Sequence, residues 1–239
     1  MTPVTLDVFF AEMAELLSGR RTAAQCETVL GRSPSGTDQF GVYAKLVDRQ
    51  QQGAIASLYG AALVAAASWN RSRADELRAG YLREAPPSHW SPTAVAAPFA
   101  DYLETHGAPV DVIELADYAR TRHEVLRAPV SDGIAGLAVR HYTYAVHEFT
   151  VAVERGEQVA GRPSATPSTW LFGRHRETAK LVMVVPSLAT LVALQLVEDG
   201  AWSADLPAIE RTDVATAVGF LDEHGLLSQV AIGRLRALL

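Results

Sequence analysis

A chain of 239 residues that is 49% hydrophobic is long enough for one large or two modest domains and too apolar to remain disordered. Its formal charge of −6, with no run of Lys and Arg, excludes an obvious phosphate-binding face. The single cysteine, Cys26, excludes an internal disulfide framework and a Cys-rich zinc pattern.

The first residues carry acidic side chains and lack a basic stretch followed by an apolar core, so they do not read as a signal peptide. Thr5 or Asp7 is placed to cap a helix running through Phe9, Phe10, Met13, Leu16 and Leu17, with Gly19 as its stop. Residues 20–30 suit a second short helix, and the Gly-Arg-Ser-Pro-Ser-Gly stretch at 31–36 is a loop. Phe40, Tyr43, Leu46, Val47, Ile55, Leu58, Tyr59 and Leu63 recur at helical spacing, which predicts one or two amphipathic helices over 38–67. The apolar run 55–69 is too short and too rich in Ala to span a bilayer, so the expectation is a soluble, cytoplasmic protein. A further helix is expected over 71–83, with Leu77 and Tyr81 on one face. The adjacent Pro86 and Pro87 end helical structure, because each removes a donor and pushes its predecessor towards extended geometry. Beyond them, 98–106 is a helix closed by Gly107, and 110–127 is the longest clean amphipathic helix.

Pro129 and Gly133 mark an exit, and a boundary in 128–136 divides the chain into an all-helical domain, 1–130, and a second domain, 131–239. The stretch 137–150 is rich in aromatic and β-branched residues and predicts a strand, with slips in apolar phase that suggest a bulge. Residues 156–167 read as a polar, mobile loop. A second strand over 168–172 turns at 173–177 and returns as a third over 178–185. Pro186 stops that strand. Ser187 then caps a helix over 188–197 that ends at Gly200, a helical turn follows at 205–209, and Asp213 caps a helix over 214–223. Gly225 ends that helix, and 234–239 is a short apolar tail. The fold class is therefore α+β: helices first, then a three-stranded antiparallel sheet with helices in a winged-helix-like order.

Reactive chemistry is hard to assemble from these residues. His141 and His147, six apart on the predicted strand, stand roughly 20 Å apart at strand rise and cannot share a metal. His106 and His123 lack an i, i+4 His partner, and the chain holds no Gly-x-Ser-x-Gly elbow, phosphate loop or dinucleotide fingerprint. Cys26 has no base beside it, and the acidic pairs, Asp222-Glu223 among them, read as solvated helix faces. A winged helix raises the rival reading of a DNA-binding transcription regulator. The candidate recognition helix, 213–223, carries Asp213, Asp222 and Glu223 but no Lys or Arg, which argues against a groove-reading role and leaves the regulator as the alternative reading. The remaining candidate is the third strand: across Lys180, Leu181, Val182, Met183 and Val184 both faces have apolar content. As a sheet edge it would accept a guest strand, with Arg211 and Val214 on the neighbouring helix; alternatively it is covered by the N-terminal helices.

The landmarks Phe40-Gly-Val-Tyr43, Tyr81-Leu-Arg-Glu-Ala-Pro-Pro-Ser-His89, Phe99-Ala-Asp-Tyr-Leu103, Glu114-Leu-Ala-Asp-Tyr118 and Val139-Arg-His-Tyr-Thr-Tyr144 span nearly the whole chain. Together with the Gly-Leu-Leu ending of the last long helix, they resemble the helical partner subunits of multinuclear iron-dependent TIM-barrel oxidases. Those oxidases make peptide natural products of the methanobactin and 3-thiaglutamate type. The resemblance implies a non-catalytic subunit in a heterodimer, without a cofactor of its own, the iron lying in the oxidase. It implies a C-terminal element that recognises a ribosomal precursor peptide by strand addition and presents its cysteine to the oxidase. It also implies an oxidase-docking surface that includes Pro87, His89, Trp90, Arg140 and Tyr142. Neither nucleic acid nor membrane is an expected partner.

Overall fold

The computed structural model describes residues 6–17, 20–31, 39–84, 94, 96–128, 134, 136–159, 161–202 and 206–239. It is helix-rich with one small sheet. In chain order the elements are α1 (Leu6–Leu17), α2 (Ala23–Leu30), α3 (Gln39–Glu84), α4 (Phe99–Thr105), α5 (Val110–Arg127), β1 (Ala138–Tyr142) and α6 (Val146–Glu154). They continue as β2 (Ser168–Arg174), β3 (Leu181–Val184), α7 (Leu188–Asp199), α8 (Arg211–Glu223) and α9 (Gln229–Leu238). Two compact units result: Met1–Asp117 with Val146–Pro163, and Tyr118–Ala145 with Ser164–Leu239. A single cut in 128–136 does not describe this division. The chain passes from the first unit to the second within α5 and returns to the first for 146–163.

In the first unit, α2 is closed by a reciprocal cap: the Gln25 amide donates to Thr22 Oγ1, and Gln25 Oε1 accepts from the Thr22 amide. The helical dihedrals of α3 break at Tyr59 (φ −112°, ψ 26°) and at Asn70 (φ −160°, ψ 105°). Asn70 Oδ1 accepts from the Arg73 amide at 3.0 Å, so it caps the segment that follows, where a separate helix is expected from sequence. An aromatic cluster fills the space between α3 and α4. Phe99 meets Tyr59 at 5.4 Å and Tyr81 at 5.1 Å between ring centres, and Tyr59 Oη donates to the Ala97 carbonyl at 2.7 Å. Burial pushes the Tyr81 phenol up to about 12.

Residues 146–150, expected to continue the first strand, instead open α6, which packs on α3. Val146, Phe149 and Thr150 are buried at helical spacing, so the slips in apolar phase mark a strand ending and a helix beginning, not a bulge. His147 accordingly shares no strand with His141. The loop at 156–167, expected to be mobile, is tied down. Arg162 donates from Nε to Asp111 Oδ2 at 2.6 Å and from Nη2 to Oδ1, and Asp111 is fully buried. Pro163 beside it is buried as well.

The second unit holds the sheet, in the order β1-β2-β3 and antiparallel throughout. Ala138 pairs with Phe172 and Tyr142 with Ser168, while Leu171 pairs with Val184 and Arg174 with Leu181. One face carries Leu171, Val182 and Val184 into an aliphatic core built by Val192, Leu196, Val218, Leu221, Leu227 and Ile232 of α7 to α9 and the turns between them. On the other face lie Tyr142, Phe172 and Met183. There Tyr118 meets the Phe172 ring at 5.5 Å and the Tyr142 ring at 5.9 Å, and its hydroxyl donates to Met183 Sδ at 3.4 Å. Gly173 is required by close approach, since a Cβ there would stand 2.2 Å from Leu226 Cδ2.

Three helix boundaries correct the sequence reading. Helix α8 begins at Arg211 with Glu210 as its N-cap, so Asp213 sits in the first turn and does not cap it. Residues 206–210 form no helical turn. The tail is part of α9, which starts at Gln229 because Ser228 Oγ accepts from the Ala231 amide at 3.1 Å. Ser187 and Gly200 do bound α7 as expected: the Thr190 amide donates to Ser187 Oγ at 3.1 Å, and Gly200 is left-handed at φ 71°. Among the described residues, no helix is long and apolar enough to cross a membrane.

Candidate functional site

The third strand is an outer strand of the sheet, and hairpin geometry decides which of its backbone groups point outward. At the turn the His175 amide donates to the Lys180 carbonyl at 2.8 Å and the Ala179 amide to the His175 carbonyl at 2.9 Å. Ala179 takes the left-handed φ of 56°, so Ala179 and Lys180 together oppose His175 in a bulge. Bonded and non-bonded pairs alternate in an antiparallel ladder. With His175 bonded to Lys180, the pairs Gly173–Val182 and Leu171–Val184 are the bonded ones. Val182 and Val184 therefore bond to β2, while Leu181 and Met183 turn their amides and carbonyls away from it. Among the described residues, nothing in the chain bonds to these outward groups. A strand in that state is a template for another strand.

The turn end of the hairpin is locked. Arg176 Nη1 donates to Asp222 Oδ1 at 2.8 Å and to the Leu227 carbonyl at 3.1 Å, and the Arg176 amide donates to the Gly225 carbonyl at 2.8 Å. Gln229 and Arg236 add bonds to Asp222 at 3.1 and 2.9 Å. The hydrogen bond from Arg176, with help from Gln229 and the nearby guanidinium charges, holds the Asp222 carboxyl below its ordinary value. Asp222 was expected to be merely solvated; it is the anchor of the turn. Gly225, at φ 59°, lies so close to His175 that a Cβ would stand 2.7 Å from the ring.

The exit end is open. Val185, just past β3, is 64% exposed and Leu188, at the start of α7, is 53% exposed. They line a groove of about 490 Å³ whose far wall is Ile209, Asp213, Thr216 and Phe220 of α8 and the segment before it. The groove thus starts at the residue that follows β3 and lies along α8 from Asp213 to Phe220.

The structure sorts the sequence-predicted residues unevenly. Leu181, Val182, Met183 and Val184 form β3, whereas Lys180 lies before it and closes the turn with its carbonyl. Val214 is fully buried in the core and offers no surface. Arg211 lies over the Trp202 ring at 5.4 Å and donates to the Leu239 carbonyl at 3.5 Å, so it faces away from the groove. Tyr142 is 2% exposed, inside the aromatic face, and Arg140 is half-buried in β1 with Nη1 donating to the Val139 carbonyl at 3.1 Å. Pro87, His89 and Trp90 lie outside the described residues. Sequence reasoning missed Val185, Leu188 and Phe220. The available signal was an apolar pair, Val185 and Leu188, straddling Pro186 at the point where strand gives way to helix.

Other reactive types are placed in structural roles. Cys26 is buried, burial raises its thiol above the ordinary value, and its Sγ contacts the Glu12 carbonyl at 3.5 Å. Among the described residues, no group of three or more His, Cys, Asp or Glu is placed to hold a metal ion. No protein-family model matches this chain, and no curated protein matches it either.

Proposed function

We propose that this chain binds a ribosomal precursor peptide by strand addition and presents its cysteine to a partner, a multinuclear iron oxidase. The chain is then the non-catalytic subunit of a heterodimer. The observation that carries the reading is the pair of outward-facing backbones at Leu181 and Met183, with an apolar groove that begins at Val185, the residue after β3. An extended guest paired there gains main-chain bonds from β3 and side-chain contacts from the groove. In this reading the sheet followed by α7, α8 and α9 is a winged helix with its strands placed first, and α8 serves as a wall. The landmark residues of the oxidase-partner resemblance supply the identity of the partner. Positioning is the whole contribution of this subunit: holding the leader raises the effective concentration of the reacting end at the iron site. A DNA-reading role finds no support in α8, whose one basic residue, Arg211, faces Trp202.

The test takes short Cys-containing peptides translated from open reading frames adjacent to the gene and titrates each against wild type, Met183→Pro and Met183→Leu. Proline removes an outward amide at an edge position where it is tolerated. Met183→Leu controls for the lost contact with Tyr118. Met183→Pro is expected to weaken binding about tenfold, the value of one or two main-chain hydrogen bonds, and Met183→Leu to leave it nearly unchanged. Equal binding by a folded Met183→Pro protein defeats strand addition. No binding of any of these peptides by wild type defeats the functional reading itself.

A further inference from the structure

The groove beside β3 also specifies what its guest carries. Its walls are apolar at Val185, Leu188, Ile209 and Phe220, and its polar side chains divide into two kinds. The hydroxyls are engaged within the fold: Ser187 Oγ accepts from the Thr190 amide at 3.1 Å and shares a bond with Thr190 Oγ1 at 2.9 Å, and Thr216 Oγ1 donates to the Thr212 carbonyl at 3.0 Å. Asp213 differs. Its carboxylate is exposed on the groove wall, and among the described residues no cation pairs with it. Arg211, the nearest cation along the helix, is held over Trp202. Asp213 also sits in the first turn of α8, where it offsets the positive end of the helix dipole and removes an attraction for an acidic guest.

Resting on the strand-addition reading, we infer that the groove selects an extended peptide segment with apolar residues at alternate positions and one Lys or Arg opposite Asp213. Side chains of a strand alternate between faces, so residues two apart enter the groove together. The apolar ones cover Leu188 and Phe220. A basic side chain on the same face lays its methylene stem along that apolar wall and carries its charge to the carboxylate. The net charge of −6 favours approach of such a guest.

The experiment is selection from a displayed random dodecapeptide library on the full chain, in wild type, Asp213→Asn and Asp213→Lys forms. Wild type is expected to enrich peptides with alternating apolar residues and to raise Lys plus Arg about threefold to fivefold at one fixed position, as befits a partly exposed ion pair. Asp213→Asn loses that preference, and Asp213→Lys replaces it with Asp or Glu at the same position. Enrichment of apolar strand-like peptides with no basic position, or with a basic preference unchanged in Asp213→Lys, overturns this inference and leaves strand addition standing. Failure of wild type to enrich any strand-like peptide overturns both.

Discussion

Two aspartates at opposite ends of α8 have opposite fates. Asp222, at the C-terminal end, receives hydrogen bonds from Arg176, Gln229 and Arg236 and fastens the β2–β3 turn to the helices. Asp213, at the N-terminal end, faces an apolar groove with no cation paired to it among the described residues. One end of the hairpin is thus closed by the chain's own side chains, and the other is the end that we propose receives a guest. On the proposed function, the difference separates stability from recognition along a single helix: the carboxylate that the fold satisfies contributes to folding, and the open one is assigned to selectivity.

The comparison extends to a third carboxylate, and there the largest effect is expected. Asp111 is fully buried against Arg162. Arg162→Ala leaves that carboxylate without its partner and is expected to cost about 3 kcal/mol of unfolding free energy in urea titration. Replacing Asp111 as well, with Leu, recovers part of the loss. A cost near zero would mean that the pair does not anchor the 156–167 loop.

A smaller effect belongs to Asp222. Asp222→Asn keeps the shape, loses the charge-assisted bonds and is expected to cost about 1–2 kcal/mol, the solvent-facing side of the network reducing the value. Its pH dependence has a definite sign. The folded carboxyl titrates below its unfolded value, so its contribution is present above the ordinary aspartate range and is lost as pH falls through the depressed value. Wild type should therefore lose stability on acidification through that window, and Asp222→Asn should lose less. Parallel acid profiles would contradict the assignment. Unlike Asp213→Lys, Asp222→Asn should leave the selected peptide sequences unchanged.

Much of the fold was legible because its signals are local. Ser187 and Gly200 bracket α7, the return of strand pattern after Glu177 marks the hairpin, and the apolar spacing of 110–127 gives α5. The boundary of β1 was not legible: the aromatic and β-branched composition of 137–144 runs into Val146 and Phe149, which suit a strand or a buried helix face equally well. Helix α9 was hidden because its cap, Ser228, follows a Leu-Leu pair that reads as continuing core. The site was legible as a strand and illegible as a surface. Whether Val214 lies in the core and Val185 in a groove depends on contacts distant in sequence. The same holds for the bond between Arg176 and Asp222, 46 residues apart. A tertiary pair of that kind has no periodic signature.

The central claim is that β3 offers one unpaired row of backbone groups, and amide exchange resolved residue by residue tests it most directly. The free chain is predicted to protect the amides of Val182 and Val184 and to exchange those of Leu181 and Met183 rapidly; a bound precursor peptide then slows Leu181 and Met183 while leaving the other two as they were. Slow exchange at Leu181 and Met183 in the free chain, or no change there once the peptide is bound, would contradict it.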